Sequence, residues 1–122
     1  MAYMLLITEP RGQREARTQA EGEALYARML RFADDLTTRG VLLDAQSLVS
    51  DKEAARVQVR EGRASVLDGP FAEVKEMIGG FFLINSATRE EALAIARECP
   101  AAQWASVEVR ETGPCFREPP ED

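Results

Sequence analysis

Two stretches of consecutive apolar residues constrain the fold of this chain more than any other feature of its sequence. Residues 3–8 and 81–84 show no alternation between apolar and polar side chains. A strand with water on one face alternates, so both stretches predict strands that are covered on two faces or lie centrally in a sheet. A chain of 122 residues has room for one domain, whose core must therefore include these two strands.

Two capping boxes mark where helices begin. Thr18 is followed three residues later by Glu21, and the same S/T-x-x-E spacing recurs from Thr88. The first box precedes an apolar stripe at i, i+4, i+7 and i+11, which predicts an amphipathic helix ending at Gly40. The second precedes a helix that ends at Pro100. Their apolar sides are Leu25, Met29, Phe32 and Leu36, and Ala92, Ile95, Ala96 and Cys99.

Further strands are predicted between and after these helices. Residues 41–49 form a second strand, and residues 104–109 form a final one with alternating polarity. Residues 56–60 and 63–67 flank a Glu-Gly pair, which predicts a hairpin with glycine at a positive φ. Residues 68–71 then form a turn, and residues 72–77 are predicted to form a short helical turn.

The order of elements predicts the fold class. Two strand–helix–strand passages with an inserted hairpin indicate an α+β, ferredoxin-like sandwich, with an antiparallel sheet and both helices on one of its faces. Residues 1–111 form this single domain. Residues 112–122 are an acidic tail that holds three of the six prolines and is expected to be mobile or to pack as an extended arm.

The face of the sheet opposite the helices also needs a cover, because the central strands are apolar at consecutive positions. In a chain of this length with two helices, a second copy of the same sheet is the simplest cover, and we predict a dimer. Four aromatic residues are assigned to core or dimer packing ahead of ligand binding or proton donation: Tyr3, Tyr26, Phe81 and Phe82.

Composition excludes several kinds of chemistry. The chain has no histidine, so no Ser-His-Asp or Cys-His pair and no histidine-ligated metal is available. Its net charge of −6 argues against direct contact with nucleic acid. Cys99 and Cys115 are predicted to be free thiols of a reducing cytoplasm, and neither a metal nor a cofactor is expected. The apolar run at residues 4–7 is too short for a signal peptide or a membrane span.

The candidate site residues lie in the sequence DGPFAEVKE. Asp68 is either a functional carboxylate at the mouth of a cleft or a turn residue that accepts hydrogen bonds from its own backbone. Glu73, Lys75 and Glu76 form either a small charged pocket or a solvated turn with weak ion pairs. Cys99 is expected to be an inert buried thiol with a raised pKa. Gly79 and the glycine after it are expected to let the chain enter the sheet or approach another backbone closely.

This nine-residue block, followed by Gly-Gly-Phe-Phe-Leu-Ile, resembles the DGPF branch of the YCII-related family. The resemblance spans residues 1–111 and includes the first strand, the Gly-Val-Leu step at residues 40–42, the Cys-Pro-Ala-Ala step and the closing Val-Glu-Val-Arg strand. It implies a ferredoxin-like fold that pairs as a dimeric α/β barrel. It also implies an association with sigma factors, beside which members of this branch are encoded or to which they are fused.

Relatives in the wider family have a histidine and an aspartate proposed as a catalytic pair. In this sequence those positions fall near Met29 and Cys99, so the pair is absent and its mechanism does not carry over. Some relatives are enzymes that remove chloride from rings, and the absence of the pair weakens the assignment of that activity to this chain.

Three functions remain open at this point. The preferred one is a cytoplasmic homodimer that binds a small ligand or a protein partner, with a regulatory role near sigma factors. Its pocket is expected between sheet and helix, with residues 68–76 at the rim. The alternative is a lyase or hydrolase of small molecules that uses Asp68, Glu73 or Glu76 as a base. The third is a structural dimer in which the block only shapes a turn.

Overall fold

A computed structural model describes residues 2–117, which form six strands and two α-helices. Short 3₁₀ turns cover Asp51–Glu53 and Pro100–Gln103. The strands and helices, in chain order, are β1 (Ala2–Pro10), α1 (Gln19–Thr38), β2 (Leu42–Ser47), β3 (Ala55–Arg60), β4 (Arg63–Asp68), β5 (Glu76–Asn85), α2 (Arg89–Glu98) and β6 (Ser106–Glu111).

Four strands form one sheet in the order β2-β5-β1-β6, and each neighbouring pair is antiparallel. The two helices pack on one face of this sheet, so the predicted α+β, ferredoxin-like arrangement is confirmed. Strands β3 and β4 form a separate two-stranded sheet, which is the inserted hairpin that the sequence predicts. No helix within residues 2–117 is long and apolar enough to cross a membrane.

The core lies between the sheet and the helices. Alternate residues of β1 point toward the helices, and Leu5 is fully buried there. Leu36 of α1 and Ile84 of β5 are equally buried, and the rings of Phe32 and Phe82 meet edge to face with centroids 5.1 Å apart. Truncating such residues to alanine costs about 2–5 kcal/mol, so this layer supplies much of the stability.

The helices begin where the capping boxes predict. Thr18 and Glu21 form both hydrogen bonds of the box at the start of α1. The second box is only half formed: Thr88 accepts from the backbone N–H of Glu91, whose own carboxylate accepts from Ala87. Helix α1 is followed by Gly40 at φ 74°, as expected of a C-terminal glycine.

The predicted helical turn over residues 72–77 is wrong. Only Ala72 and Glu73 lie in a turn, and β5 already begins at Glu76, which pairs with Pro10 of β1. The long first strand offers backbone partners to these residues, and that pairing outweighs their local preference. Gly80 lies within β5, where a Cβ would stand 2.7 Å from the Gln46 carbonyl oxygen, so the expected close backbone approach is confirmed.

The second face of the sheet carries apolar side chains from its two central strands and is here called the open face. Met4 and Leu6 of β1 and Phe81 and Leu83 of β5 share this face and are only partly buried. No element within residues 2–117 lies over them. The predicted tail begins with Thr112, whose N–H donates to Ala2, and residues 118–122 lie outside the described part.

Candidate functional site

A pocket of about 430 Å³ lies where β2 ends and β5 begins. Its wall is mainly apolar and includes Leu48, Val49, Phe71, Val74, Met77 and Ile78. Five charged residues also line it: Arg11, Asp51, Glu53, Arg56 and Glu76. Apolar walls with a few placed charges are typical of sites for small organic molecules.

Arg11 joins three segments of the chain at this pocket. Its guanidinium donates to both carboxylate oxygens of Asp51, at 2.9 and 2.5 Å, and its Nε donates to the Val74 carbonyl at 2.7 Å. Its backbone N–H donates to the Lys75 carbonyl at 2.9 Å. Two-pronged pairing of this kind fixes orientation as well as distance. Arg11 therefore fixes the end of β1, the loop after β2 and the block before β5 relative to one another.

Arg56 forms a second connection, between the hairpin and the DGPFAEVKE sequence at residues 68–76, here called the DGPF block. Its guanidinium carbon lies 3.8 Å from the centroid of the Phe71 ring, and its Nη1 lies 2.8 Å from a carboxylate oxygen of Glu73. Phe71 is buried, so the cation rests on a fixed aromatic surface. The base of the hairpin is thereby held against the pocket wall.

Gly69 closes the turn at the start of the block. Its N–H donates to the Ala54 carbonyl at 2.7 Å, and a Cβ at this position would overlap the backbone carbonyl oxygen of Asp51. The turn thus lies directly on residues 51–54. This contact places Phe71 and Val74 beside the loop that carries Asp51.

The structure separates the four candidate residues of the block. Glu76 lines the pocket, and Glu73 pairs with Arg56 beside it. Lys75 contributes its backbone carbonyl to Arg11, while its side chain is exposed. Asp68 ends β4 opposite Ala55, is exposed, and is not among the residues that line the pocket.

The expected position of the pocket, between sheet and helix, is wrong. The pocket is lined by the end of β1, the loop after β2, the hairpin base and the start of β5, and no residue of α1 or α2 contributes to it. The space between sheet and helices is filled by the core. Residues 68–76 do supply part of the pocket rim, through Phe71, Val74 and Glu76.

Two carboxylates at the pocket are held in the charged form. The hydrogen bonds from Arg11 lower the pKa of Asp51. The pKa of Glu73 is lowered by a hydrogen bond from its own backbone and by Arg56. A carboxylate with a lowered pKa is a weak proton acceptor near neutral pH. Both residues are therefore better suited to fixing the arginines than to acid–base chemistry.

The lowered pKa of Asp51 predicts how stability depends on pH. A group whose folded pKa lies below its unfolded value stabilises the fold above the unfolded pKa, and this contribution is lost as pH falls through the folded pKa. The melting temperature of the protein should therefore decrease below about pH 4. D51N should show a shallower decrease in a calorimetric series, whereas D34N, at an exposed position on α1, should keep the wild-type slope. Equal slopes in all three proteins would contradict the Arg11–Asp51 geometry.

Met29 and Cys99, near which relatives have the proposed histidine–aspartate pair, belong to the core in this chain. Met29 packs against the core from α1, and Cys99 is 1% exposed. Burial raises the pKa of the Cys99 thiol, so the expected buried position and raised pKa are confirmed, although the cause is desolvation and not the helix end. Tyr3 is also buried in the core, whereas Tyr26 is half exposed on α1.

Sequence reasoning missed the charged residues that organise the pocket. Arg11 and Asp51 lie in the two polar breaks after β1 and β2 and are 40 positions apart. Arg56 lies on the hairpin. The available signal was the opposite charge of two loops at strand ends, which the predicted topology places at the same end of the sheet.

The fold and this pocket define an α+β, ferredoxin-like domain with a site built from strand-end loops. The family model of the YCII-related domain matches residues 1–114. The chain is also 33% identical over 112 residues to an uncharacterised protein of Rhizobium meliloti (strain 1021), covering 90% of each chain. The chain belongs to the YCII-related family.

Proposed function

We propose that this protein is a homodimer that binds a small organic ligand in the pocket beside the DGPF block. The observation that carries this proposal is the apolar wall of the pocket, whose three segments are fixed by Arg11 and Arg56. A cavity of about 430 Å³ fits a small molecule. The ion pairs Arg11–Asp51 and Arg56–Glu73 already hold the rim in place, so ligand binding costs little additional conformational entropy.

The charges at the pocket favour a ligand with an apolar body and a cationic group. The two arginines are already paired, Arg11 with Asp51 and Arg56 with Glu73. Glu53 and Glu76 line the same pocket and have no ion-pair partner within residues 2–117. An amine would gain from these two carboxylates, whereas a carboxylate ligand would have to displace Glu73 from Arg56.

A melting-shift screen with matched pairs tests this ligand class. Amines and carboxylates of the same shape, such as 2-phenylethylamine and 3-phenylpropanoate, are compared at equal concentration. A ligand at about ten times its Kd stabilises by about 1.4 kcal/mol and raises the melting temperature by roughly 5 °C. We expect such shifts among the amines, their loss in E76Q, and no change in E23Q, at an exposed position on α1. A screen in which the carboxylates stabilise as strongly as the amines would contradict the proposed class.

The open face supports the homodimer. Its centre is apolar, and it is bordered by polar residues of the edge strands, such as Asp44 beside Leu83 and Glu108 beside Leu6. An apolar centre with a polar rim is the usual composition of a stable protein interface. A second copy would bury Met4, Leu6, Phe81 and Leu83 against their equivalents across a two-fold axis.

Membership of the DGPF branch is supported by the DGPF sequence itself, whose residues make contacts at the pocket. Asp-Gly-Pro forms the turn on the Asp51 loop, and Phe71 forms the surface under Arg56. With this branch comes the proposed regulatory role beside sigma factors in the cytoplasm. The net charge of −6 favours protein contacts over DNA contacts in that role.

An enzymatic alternative depends on Glu76, the one candidate base that lines the pocket without an ion-pair partner among residues 2–117. A lyase or hydrolase would need this carboxylate to accept a proton from the bound molecule. Incubating the protein with each ligand found in the screen distinguishes the two functions. Turnover of a bound ligand by the wild-type protein would support catalysis, and unchanged ligand after prolonged incubation would support binding alone.

A further inference from the structure

The β3–β4 hairpin, here called the arm, has two chemically different faces. Cross-strand pairs alternate between them: Val57 lies opposite Val66 and Val59 opposite Ala64, whereas Arg60 lies opposite Arg63. One face therefore carries small apolar side chains, with Ala55 opposite Asp68 as its last pair at the base of the arm. The other carries three arginines with Gln58, Ser65 and Leu67.

The apolar face of the arm is uncovered. Val57, Val59 and Val66 are 65%, 59% and 65% exposed, and every residue of both strands is exposed. A two-stranded hairpin is at best marginally stable in water by itself. Its turn adds to the cost, because Glu61 lies at φ 52° ahead of Gly62 at φ 76°. An arm of this kind requires a partner surface.

The charges of the arm indicate which surface that is. The arm, residues 55–68, carries three arginines, one glutamate and one aspartate, a net charge of +1, whereas the whole chain carries −6, which leaves −7 on the remainder. At the tip, Arg60 and Arg63 face each other across the strands and have no ion-pair partner within residues 2–117. Like charges in directly opposite positions are destabilising unless a carboxylate joins them. The rest of this same chain is an acidic surface.

We infer that the arm packs on a second copy of this chain, with its valine face on apolar residues at the border of that copy's open face and its arginine tip near the carboxylates there. Six-residue strands extend about 20 Å, far enough to cross from one copy to the other. Packing of two arms against each other is disfavoured, because it brings two segments of net positive charge together, each with an arginine couple at its tip that has no ion-pair partner among the described residues. The inference rests on the proposed homodimer and adds a second, separate contact to it.

Sedimentation equilibrium of a variant with matched side chains tests this inference. V57T/V59T/V66T keeps the shape and strand preference of valine but makes the covered face polar. We expect its dimer dissociation constant to rise at least tenfold. Q58T/S65T, on the opposite face of the same strands, should change it less than twofold. R60Q/R63Q should raise it severalfold and reduce its dependence on salt.

The outcomes separate the inference from the proposed homodimer. A wild-type protein that is monomeric at all concentrations would overturn both. A wild-type dimer whose dissociation constant is unchanged in V57T/V59T/V66T would overturn the arm contact alone. Hydrogen exchange gives a measurement without any substitution: amides of residues 55–68 should become more protected as the wild-type concentration rises through the dissociation constant. Protection that is independent of concentration would overturn the inference even if the triple variant fails to fold.

Discussion

Replacing Gly69 by alanine should lower the free energy of unfolding by about 3 kcal/mol. The added Cβ would overlap the backbone carbonyl oxygen of Asp51, which cannot rotate away as a side chain would. The turn and the loop must therefore separate, and the hydrogen bond from Gly69 to Ala54 is lost with them. Denaturant unfolding followed by circular dichroism measures the change. Because Asp51 moves with its loop, G69A should also lose ligand binding at the pocket.

Gly22 provides the matched control for this substitution. It lies within α1, and a Cβ there would have no atom within 4 Å. Alanine favours a helix over glycine, so G22A should raise the free energy of unfolding by about 0.5–1 kcal/mol. The two Gly→Ala changes are thus expected to have opposite signs. A G69A protein as stable as wild type would show that the turn does not rest on residues 51–54.

Replacing Leu6 by aspartate should convert the proposed dimer into a monomer. Leu6 lies at the centre of the open face, between Phe81 of β5 and Glu108 of β6. In the dimer the new carboxylate would be buried without a partner, which costs several kcal/mol and raises the dissociation constant by about a thousandfold. Sedimentation should change from about 27 kDa, twice the 13.5 kDa monomer, to a single species of monomer mass.

Leu30 is the control for the open face. It is 49% exposed on α1, on the helix side of the molecule, so L30D introduces the same charge away from the proposed interface. L30D should remain dimeric, and both variants should keep wild-type circular dichroism spectra. A dimer that persists in L6D would show that the interface lies elsewhere. A monomeric wild-type protein would contradict the proposed dimer itself.

Local signals predicted much of the fold. The capping boxes at Thr18 and Thr88 specify helix starts through short-range hydrogen bonds, and the apolar stripe of α1 specifies its buried face. The turn at Glu61 and Gly62 likewise depends on neighbouring residues only. Where long-range pairing decides, prediction failed: residues 76 and 77 joined β5 because β1 extends to Pro10.

The site was harder to predict than the fold for the same reason. Its central pair joins residues 40 positions apart, and neither Arg11 nor Asp51 has a local pattern that distinguishes it from an ordinary loop charge. In the sequence, the DGPF block stands out for its carboxylates. In the structure, mainly its other residues make the contacts at the pocket. Gly69 lies where a Cβ would overlap the Asp51 carbonyl oxygen, the buried ring of Phe71 lies under Arg56, and two backbone carbonyls accept hydrogen bonds from Arg11.

The central proposal is that the pocket beside the DGPF block binds a small cationic molecule, and mapping amide chemical shifts by NMR tests it most directly. The strongest stabilising amine from the screen is titrated into isotope-labelled protein. We expect the shifts to concentrate at Arg11 and at residues 48–54 and 71–78, and to be absent with the matched carboxylate. Shifts confined to α1, α2 or the open face, or equal shifts with amine and carboxylate, would contradict the proposal.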